Sequence, residues 1–186
     1  MKTSWRKREC FMDSSTESNS GEGGSEFSRN LDILRQIEFF AGLPMETLKV
    51  IAYLLAREGF AAGDYLYTQN EEDGQAFFVL EGELQLVCDM DGREHFIRGF
   101  AAGDFIGGLS LLSPMRHLFS LRAAQDSACL VLSREQFTKA IAQFPELIPR
   151  VFKSVADRIH AWDRQRLFEM QEKGLSLEGM VGISAI

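Results

Sequence analysis

The residues best suited to bind a small ligand lie in one stretch, residues 103–123. A Gly-Asp turn there leads to the paired glycines Gly107 and Gly108, and a short apolar turn follows, with Leu109 and Ser110 at its start. Glycines just ahead of a helical turn leave backbone N–H groups free to hold a phosphate. We therefore predict a ligand-binding turn whose N–H groups come from these four residues.

Other residue types that commonly carry chemistry are scattered along the chain. His95 and His160 have no cysteine or carboxylate at metal-ligand spacing, and the serines lack the glycine frame of a nucleophile elbow. The carboxylates near Asp91 resemble solvated hairpin ends more than a calcium loop. We therefore expect no catalytic residue, no metal and no cofactor, and we do not expect an enzyme.

Helical spacing appears first near the N-terminal end of the predicted domain. Asn30 is placed to cap a helix that begins near Ser28, and Gly42 and Pro44 separate it from a second helix. The apolar residues at helical spacing are Leu31, Ile33, Leu34, Ile37 and Phe40 in the first helix and Leu48, Ile51, Ala52 and Leu55 in the second.

From Glu58 the apolar period changes to that of strands, with turn residues between short runs. Asp91-Gly92 between two alternating segments predicts a two-residue hairpin. Roughly eight such strands at this spacing are typical of an antiparallel β-roll, that is, a jelly roll or double-stranded β-helix. With its flanking helices, the chain is predicted to be an α+β protein.

The helical period returns after the last strand. Ser133 and Gln136 form a predicted capping box, and Pro145 begins a longer helix that Gly174 ends. The longer helix carries apolar residues at heptad-like spacing, here called the C-terminal seam: Ile148, Phe152, Val155, Ile159 and Trp162. Packing on the β-roll and pairing with a second copy are both compatible with this spacing.

Composition limits the class of protein. The 186 residues carry a net charge of -7, which argues against a nucleic-acid partner. Three widely separated cysteines indicate a reducing compartment, and no apolar run is long enough for a membrane span, so we expect a cytoplasmic protein. The predicted organisation is a disordered acidic tail at 1–27, one domain at 28–173 and a short tail at 174–186.

Several short motifs, in order, resemble one known family. These motifs are Phe40-Ala-Gly-Leu-Pro44, Ala62-Gly63-Asp64, Val79 to Val87 around Gly82, Asp91 to Glu94, Ala102 to Gly107, and Val131 to Phe137. Together they resemble the cyclic-nucleotide-binding domain of catabolite-activator-like regulators, kinase regulatory subunits and gated channels. The resemblance covers residues 31–162.

The resemblance also implies where a ligand would bind. The family cassette carries a glutamate that reads the ribose hydroxyl and an arginine that pairs with the cyclic phosphate. Gly108 stands at the glutamate position, and alignment without a gap puts His117 at the arginine position. A one-residue shift would put Arg116 there instead; otherwise Arg116 is a solvated loop residue. His117 can donate to an anion when protonated, or it is a neutral lining residue, and Phe119 fills pocket volume or stacks on a base.

Two functions are compatible with this cassette. The first is a regulatory sensor without a DNA-binding domain, which couples a cyclic nucleotide or another small anionic ligand to helix movement beyond Leu132. The second is a degenerate domain that binds no nucleotide and serves as a protein-interaction scaffold. In either case we expect a protein partner or a homodimer formed through the C-terminal seam.

Overall fold

The computed structural model describes residues 22–145 and 148–172. The described chain begins with helix α1 (Glu22–Gln36), a 3₁₀ turn (Glu38–Phe40) and helix α2 (Met45–Leu54). Pro44 precedes α2 as its N-cap residue. The break between the two predicted helices is therefore confirmed.

Helix α1 starts earlier than the sequence predicts. It begins at Glu22 instead of near Ser28, and Phe27 packs against the hydrophobic core. Asn30 is not a cap but lies inside the helix, where its buried side chain donates to the carbonyl of Ala52 on α2. Burial of one phenylalanine and one tertiary hydrogen bond favour helix in a stretch whose composition suggests disorder.

The described residues form eight antiparallel strands in two four-stranded sheets. The strand order is β1-β8-β3-β6 in one sheet and β2-β7-β4-β5 in the other. The strands are β1 (Ala56–Phe60), β2 (Tyr65–Tyr67), β3 (Gln75–Glu81), β4 (Glu83–Met90), β5 (Arg93–Ala101), β6 (Phe105–Ile106), β7 (Ser120–Ala123) and β8 (Ser127–Ser133). The predicted α+β fold with an antiparallel β-roll is confirmed.

Local turn chemistry explains the longest hairpin. Met90 pairs with Arg93, and Asp91 and Gly92 between them have φ angles of 54° and 76°. Two successive residues with positive φ form the turn that matches the twist of a β-hairpin. The hairpin predicted from Asp91-Gly92 is therefore present.

Buried residues form two clusters. The cluster of the β-roll contains Phe77, Val79, Leu84, Leu121 and Cys129, among others. The second cluster joins the roll to the helices and contains Leu34, Phe39, Phe40, Leu111 and Phe137, among others. The N-terminal helices thus belong to the domain core and are not an appendage.

The C-terminal helices follow β8 directly. Helix α3 (Arg134–Ala142) begins with the predicted capping box, since Ser133 accepts from the Gln136 backbone and Gln136 accepts in return. Helix α4 (Ile148–Glu172) follows. Within the described part of this helix, no stretch is long and apolar enough to cross a membrane, and the same holds for the other described helices.

The C-terminal seam is divided between core and solvent. Val155 packs against the buried cluster that joins the β-roll to the helices. Phe152, in contrast, is 68% exposed, and Ile148 is also exposed. Ile159 is half-buried, and the Trp162 side chain lies outside the described residues. Residues 1–21 of the tail predicted at 1–27 lie outside the described residues, as does the tail predicted at 174–186, whereas residues 22–27 belong to α1.

Candidate functional site

The predicted ligand-binding turn is a single 3₁₀ turn, Gly108–Leu111, here called the cassette turn. Gly107 precedes it with φ 85°, a left-handed conformation that side chains rarely adopt. A Cβ at Gly107 would also lie 2.6 Å from the carbonyl oxygen of Gln75. Glycine is therefore required at this position by both conformation and packing.

Gly108 is required for a different reason. A Cβ there would lie 2.9 Å from Cδ2 of Phe39 and 3.0 Å from Cε1 of Phe105. These rings belong to an aromatic cluster in which Phe39 also contacts Phe40 and Phe137. The space beside Gly108, the predicted glutamate position, is thus occupied by aromatic rings.

The other residues of the cassette turn differ in their exposure to solvent. The side chain of Leu109 is 47% exposed, whereas Ser110 and Leu111 are buried. The Ser110 carbonyl accepts a hydrogen bond of 2.9 Å from Nε of Arg134, the first residue of α3. The cassette turn is therefore tied directly to the first helix after the β-roll.

Arg134 also reaches the loop before β3. One of its terminal nitrogens lies 3.3 Å from Oε1 of Glu72, and its backbone N–H donates to the carbonyl of Gly74 at 2.7 Å. Sequence reasoning missed Arg134 as a site residue, because only the fold brings it within reach of Ser110.

His117 is held by a pair of groups far away in sequence. Its Nε2 lies 2.6 Å from Oδ1 of Asp73, and each side chain is only 10% exposed. Its ring stacks on Tyr67 with a centroid separation of 3.6 Å and an interplanar angle of 12°. Its backbone N–H donates to Glu71, and its carbonyl accepts from Asn70. Both the ring and the backbone of His117 are thus held in place.

The negative charge of Asp73 acts on the hydroxyl of Tyr67. Burial raises the pKa of the Tyr67 hydroxyl, and the nearby negative charge of Asp73 raises it further. Oδ1 of Asp73 also accepts from the Gln75 backbone, whereas Oδ2 is buried without a hydrogen-bond partner among the described residues. The sequence indicated only a turn at residues 70–74, so this carboxylate was missed.

The two remaining predicted residues lie in the loop before β7. Arg116 is exposed, and Phe119 is half-buried just ahead of Ser120. Strand β7 begins after them, at Ser120. Arg122 points away from this loop region and pairs with Glu94 at 2.8 Å. The loop at residues 71–75 therefore connects the two halves of the cassette, with His117 on one side and Gly107 and Arg134 on the other.

Comparison with known proteins places this geometry in a family. A family model described as "cyclic nucleotide-binding domain" matches residues 57–144. Human cGMP-dependent protein kinase 2 is 28% identical over 119 residues, which cover 62% of this chain and 16% of the kinase. The cAMP-dependent protein kinase regulatory subunit of Blastocladiella emersonii is 26% identical over 119 residues, which cover 63% of this chain and 29% of that protein. The chain thus spans a minor part of each of these relatives.

Solved structures share the fold. A cyclic nucleotide-binding domain from Methylobacillus flagellatus has a TM-score of 0.64 at 22% identity, covering 82% of this chain and 86% of that one. The regulatory subunit of a cAMP-independent protein kinase A from Trypanosoma brucei has a TM-score of 0.54 at 26% identity, covering 72% and 49%. Residues 57–144, which hold the β-roll and the cassette turn, thus form a domain of the cyclic nucleotide-binding domain family.

Proposed function

We propose that the chain is a regulatory sensor module that couples a small ligand in its cassette to movement of the helices after Leu132. The observation that carries this proposal is the hydrogen bond from Nε of Arg134 to the carbonyl of Ser110, at 2.9 Å. It joins a residue of α3 to the backbone of the cassette turn. A ligand that shifts this turn must therefore either carry Arg134 with it or break the bond.

Further contacts give that shift a route to α4. Phe137 of α3 packs against Phe39 and Phe40 of the N-terminal 3₁₀ turn. Arg150 of α4 donates to the carbonyl of Gly42, just after the same turn. A ligand changes such an equilibrium only through different contacts in the two states, and the Ser110 carbonyl is one group whose contact would change.

The ligand residues that we propose are those of the cassette: Gly107, Gly108, Leu109, Ser110, Arg116, His117 and Phe119. Family membership supports a cyclic nucleotide as the first ligand to test. Ligand use varies among relatives, since the Trypanosoma brucei subunit is described as cAMP-independent. A triple-substituted form of that subunit is bound to cAMP, and one of its substitutions introduces an arginine.

The test is a thermal-shift and calorimetric titration of the full chain with cAMP, cGMP and cyclic dinucleotides. A ligand present at 100 times its Kd stabilises the folded state by about 2.7 kcal/mol, so binding produces a measurable shift. Absence of any shift at millimolar concentration would exclude the nucleotide sensor. A shift that Arg116→Ala abolishes and His117→Ala retains would assign the arginine role to Arg116.

A second function is supported by two other observations. The imidazole of His117 is engaged by Asp73, and the space beside Gly108 is filled by Phe39 and Phe105. Both features suit a degenerate cassette in a domain that acts as a protein-interaction scaffold. The exposed part of the C-terminal seam, Phe152 and Ile148, would then contact a partner or a second copy. Sedimentation over a concentration series tests the homodimer, because a species that stays monomeric excludes it.

A further inference from the structure

The buried carboxylate of Asp73 bears on the charge of the ligand. It lies 2.6 Å from the imidazole of His117, the residue that alignment without a gap puts at the arginine position of the family cassette. We propose, building on the sensor function above, that the cassette selects an uncharged nucleoside over a cyclic nucleotide. Asp73 is the residue that determines this choice.

The positive charges near the cassette turn are already paired with carboxylates. An imidazole carries at most one positive charge, and the carboxylate of Asp73 already offsets it. The guanidinium of Arg134 is engaged in the same way by Glu72. A phosphate brought to His117 would add a second negative charge beside a nearly buried carboxylate, and like charges at a desolvated site repel each other strongly. A nucleoside brings no such charge.

The small number of hydrogen-bond donors on His117 also disfavours a phosphate. A guanidinium has five N–H donors and can serve a carboxylate and a phosphate together, whereas an imidazole has two ring nitrogens. One nitrogen of His117 is committed to Asp73. The ring cannot swing towards an anion without losing its stacking on Tyr67. His117 is therefore poorly suited to the task of the family arginine.

The second carboxylate oxygen of Asp73 favours a ligand that donates hydrogen bonds. Oδ2 of Asp73 is buried and has no hydrogen-bond partner among the described residues. A carboxylate oxygen only accepts hydrogen bonds, so it favours a ligand with donors and disfavours phosphate oxygens. The ribose hydroxyls of a nucleoside are such donors. A small displacement of the loop at residues 71–75 would let this oxygen accept from one of them.

The test compares ligands that differ only in the phosphate. Calorimetry of the full chain with adenosine and cAMP, and with guanosine and cGMP, should give a nucleoside Kd at least about tenfold lower than that of the matching cyclic nucleotide. A cyclic nucleotide that binds as tightly as its nucleoside, or more tightly, would overturn this inference and leave the sensor function standing. No binding of either class at millimolar concentration would overturn the sensor function, and this inference with it.

Substitutions test the role of Asp73 itself. In Asp73→Asn, the preference for nucleoside should fall about tenfold, because the repelling charge is gone. Glu46→Gln is the matched control: it removes one charge from an exposed site on α2 and should leave the preference unchanged. His117→Arg offers a second variant in case Asp73→Asn does not fold. This variant should also reduce the preference for nucleoside over cyclic nucleotide about tenfold, because the cyclic nucleotide binds more tightly. An unchanged preference in either folded variant would overturn the assignment of this preference to the pair of Asp73 and His117.

Discussion

At the scale of single residues, two glycines and one histidine are the most tightly constrained positions of the predicted cassette. Gly107 and Gly108 keep the backbone of the cassette turn against Gln75 and the aromatic cluster. His117 is fixed by Asp73 and Tyr67. The glycine at the predicted glutamate position is therefore explained by packing.

The packing at Gly108 gives a first prediction. Gly108→Ala should lower the free energy of unfolding by about 1–3 kcal/mol, because the added methyl group overpacks the rings of Phe39 and Phe105. Urea denaturation measures the loss. Gly59→Ala is the control, since a Cβ at that position meets nothing within 4 Å. Equal midpoints for the two variants would contradict the packing argument.

Sequence patterns predicted the features that depend on neighbours in the chain. The Asp91-Gly92 hairpin and the capping box of Ser133 and Gln136 need only a few consecutive residues to be recognised. Asp73 and His117 are 44 positions apart, and only the fold brings them together. Helix α1 was predicted too short because the polar residues before Phe27 carry almost no apolar pattern.

At the scale of elements, Arg134 joins the cassette turn to α3 and to the loop before β3. Arg134→Ala should destabilise the domain by about 1–2 kcal/mol, since the Ser110 carbonyl and Glu72 both lose a charged donor. Arg57→Ala is a suitable control, because its ion pair with Glu81 is exposed and should contribute under about 0.5 kcal/mol. Similar urea midpoints for the two variants would argue against Arg134 as a structural link.

The C-terminal seam of α4 gives another prediction at this scale. Val155→Ala should lower the unfolding midpoint by an amount that does not depend on protein concentration, because Val155 packs against the domain core. Phe152→Ala should leave the midpoint of the monomer nearly unchanged, because this side chain is 68% exposed. Midpoints measured at low and high protein concentration separate the two effects. If Phe152→Ala lowered the unfolding midpoint more at low protein concentration than at high protein concentration, its ring would be shown to pack within the monomer.

At the scale of the whole molecule, two buried, weakly acidic groups link the stability of the fold to pH: the thiol of Cys129 and the hydroxyl of Tyr67. Burial raises the pKa of the Cys129 thiol from 9.0 to about 12, with a smaller contribution from Glu58, and burial also raises the pKa of Tyr67. Between these values the folded state keeps a proton that the unfolded state has lost. Stability is therefore fully present below about pH 9 and decreases as the pH rises towards 12.

Chemical denaturation at several pH values checks this link. The wild-type midpoint should fall between about pH 9 and 10.5, and Cys129→Ala should reduce that fall, although Tyr67 keeps part of it. Cys88→Ala is the control for loss of a thiol, since Cys88 is only partly buried whereas Cys129 is buried. A decline of the same steepness in Cys129→Ala and the wild type would refute the assignment.

The aromatic rings against Gly108 also constrain how the cassette can change over evolutionary time. With Phe39 and Phe105 in place, a side chain at position 108 must displace a ring edge that lies 2.9 Å from its Cβ. A glutamate introduced at this position would therefore need a smaller residue at position 39 as well. A double substitution is thus the minimum change that could give this turn a carboxylate without disturbing the aromatic cluster.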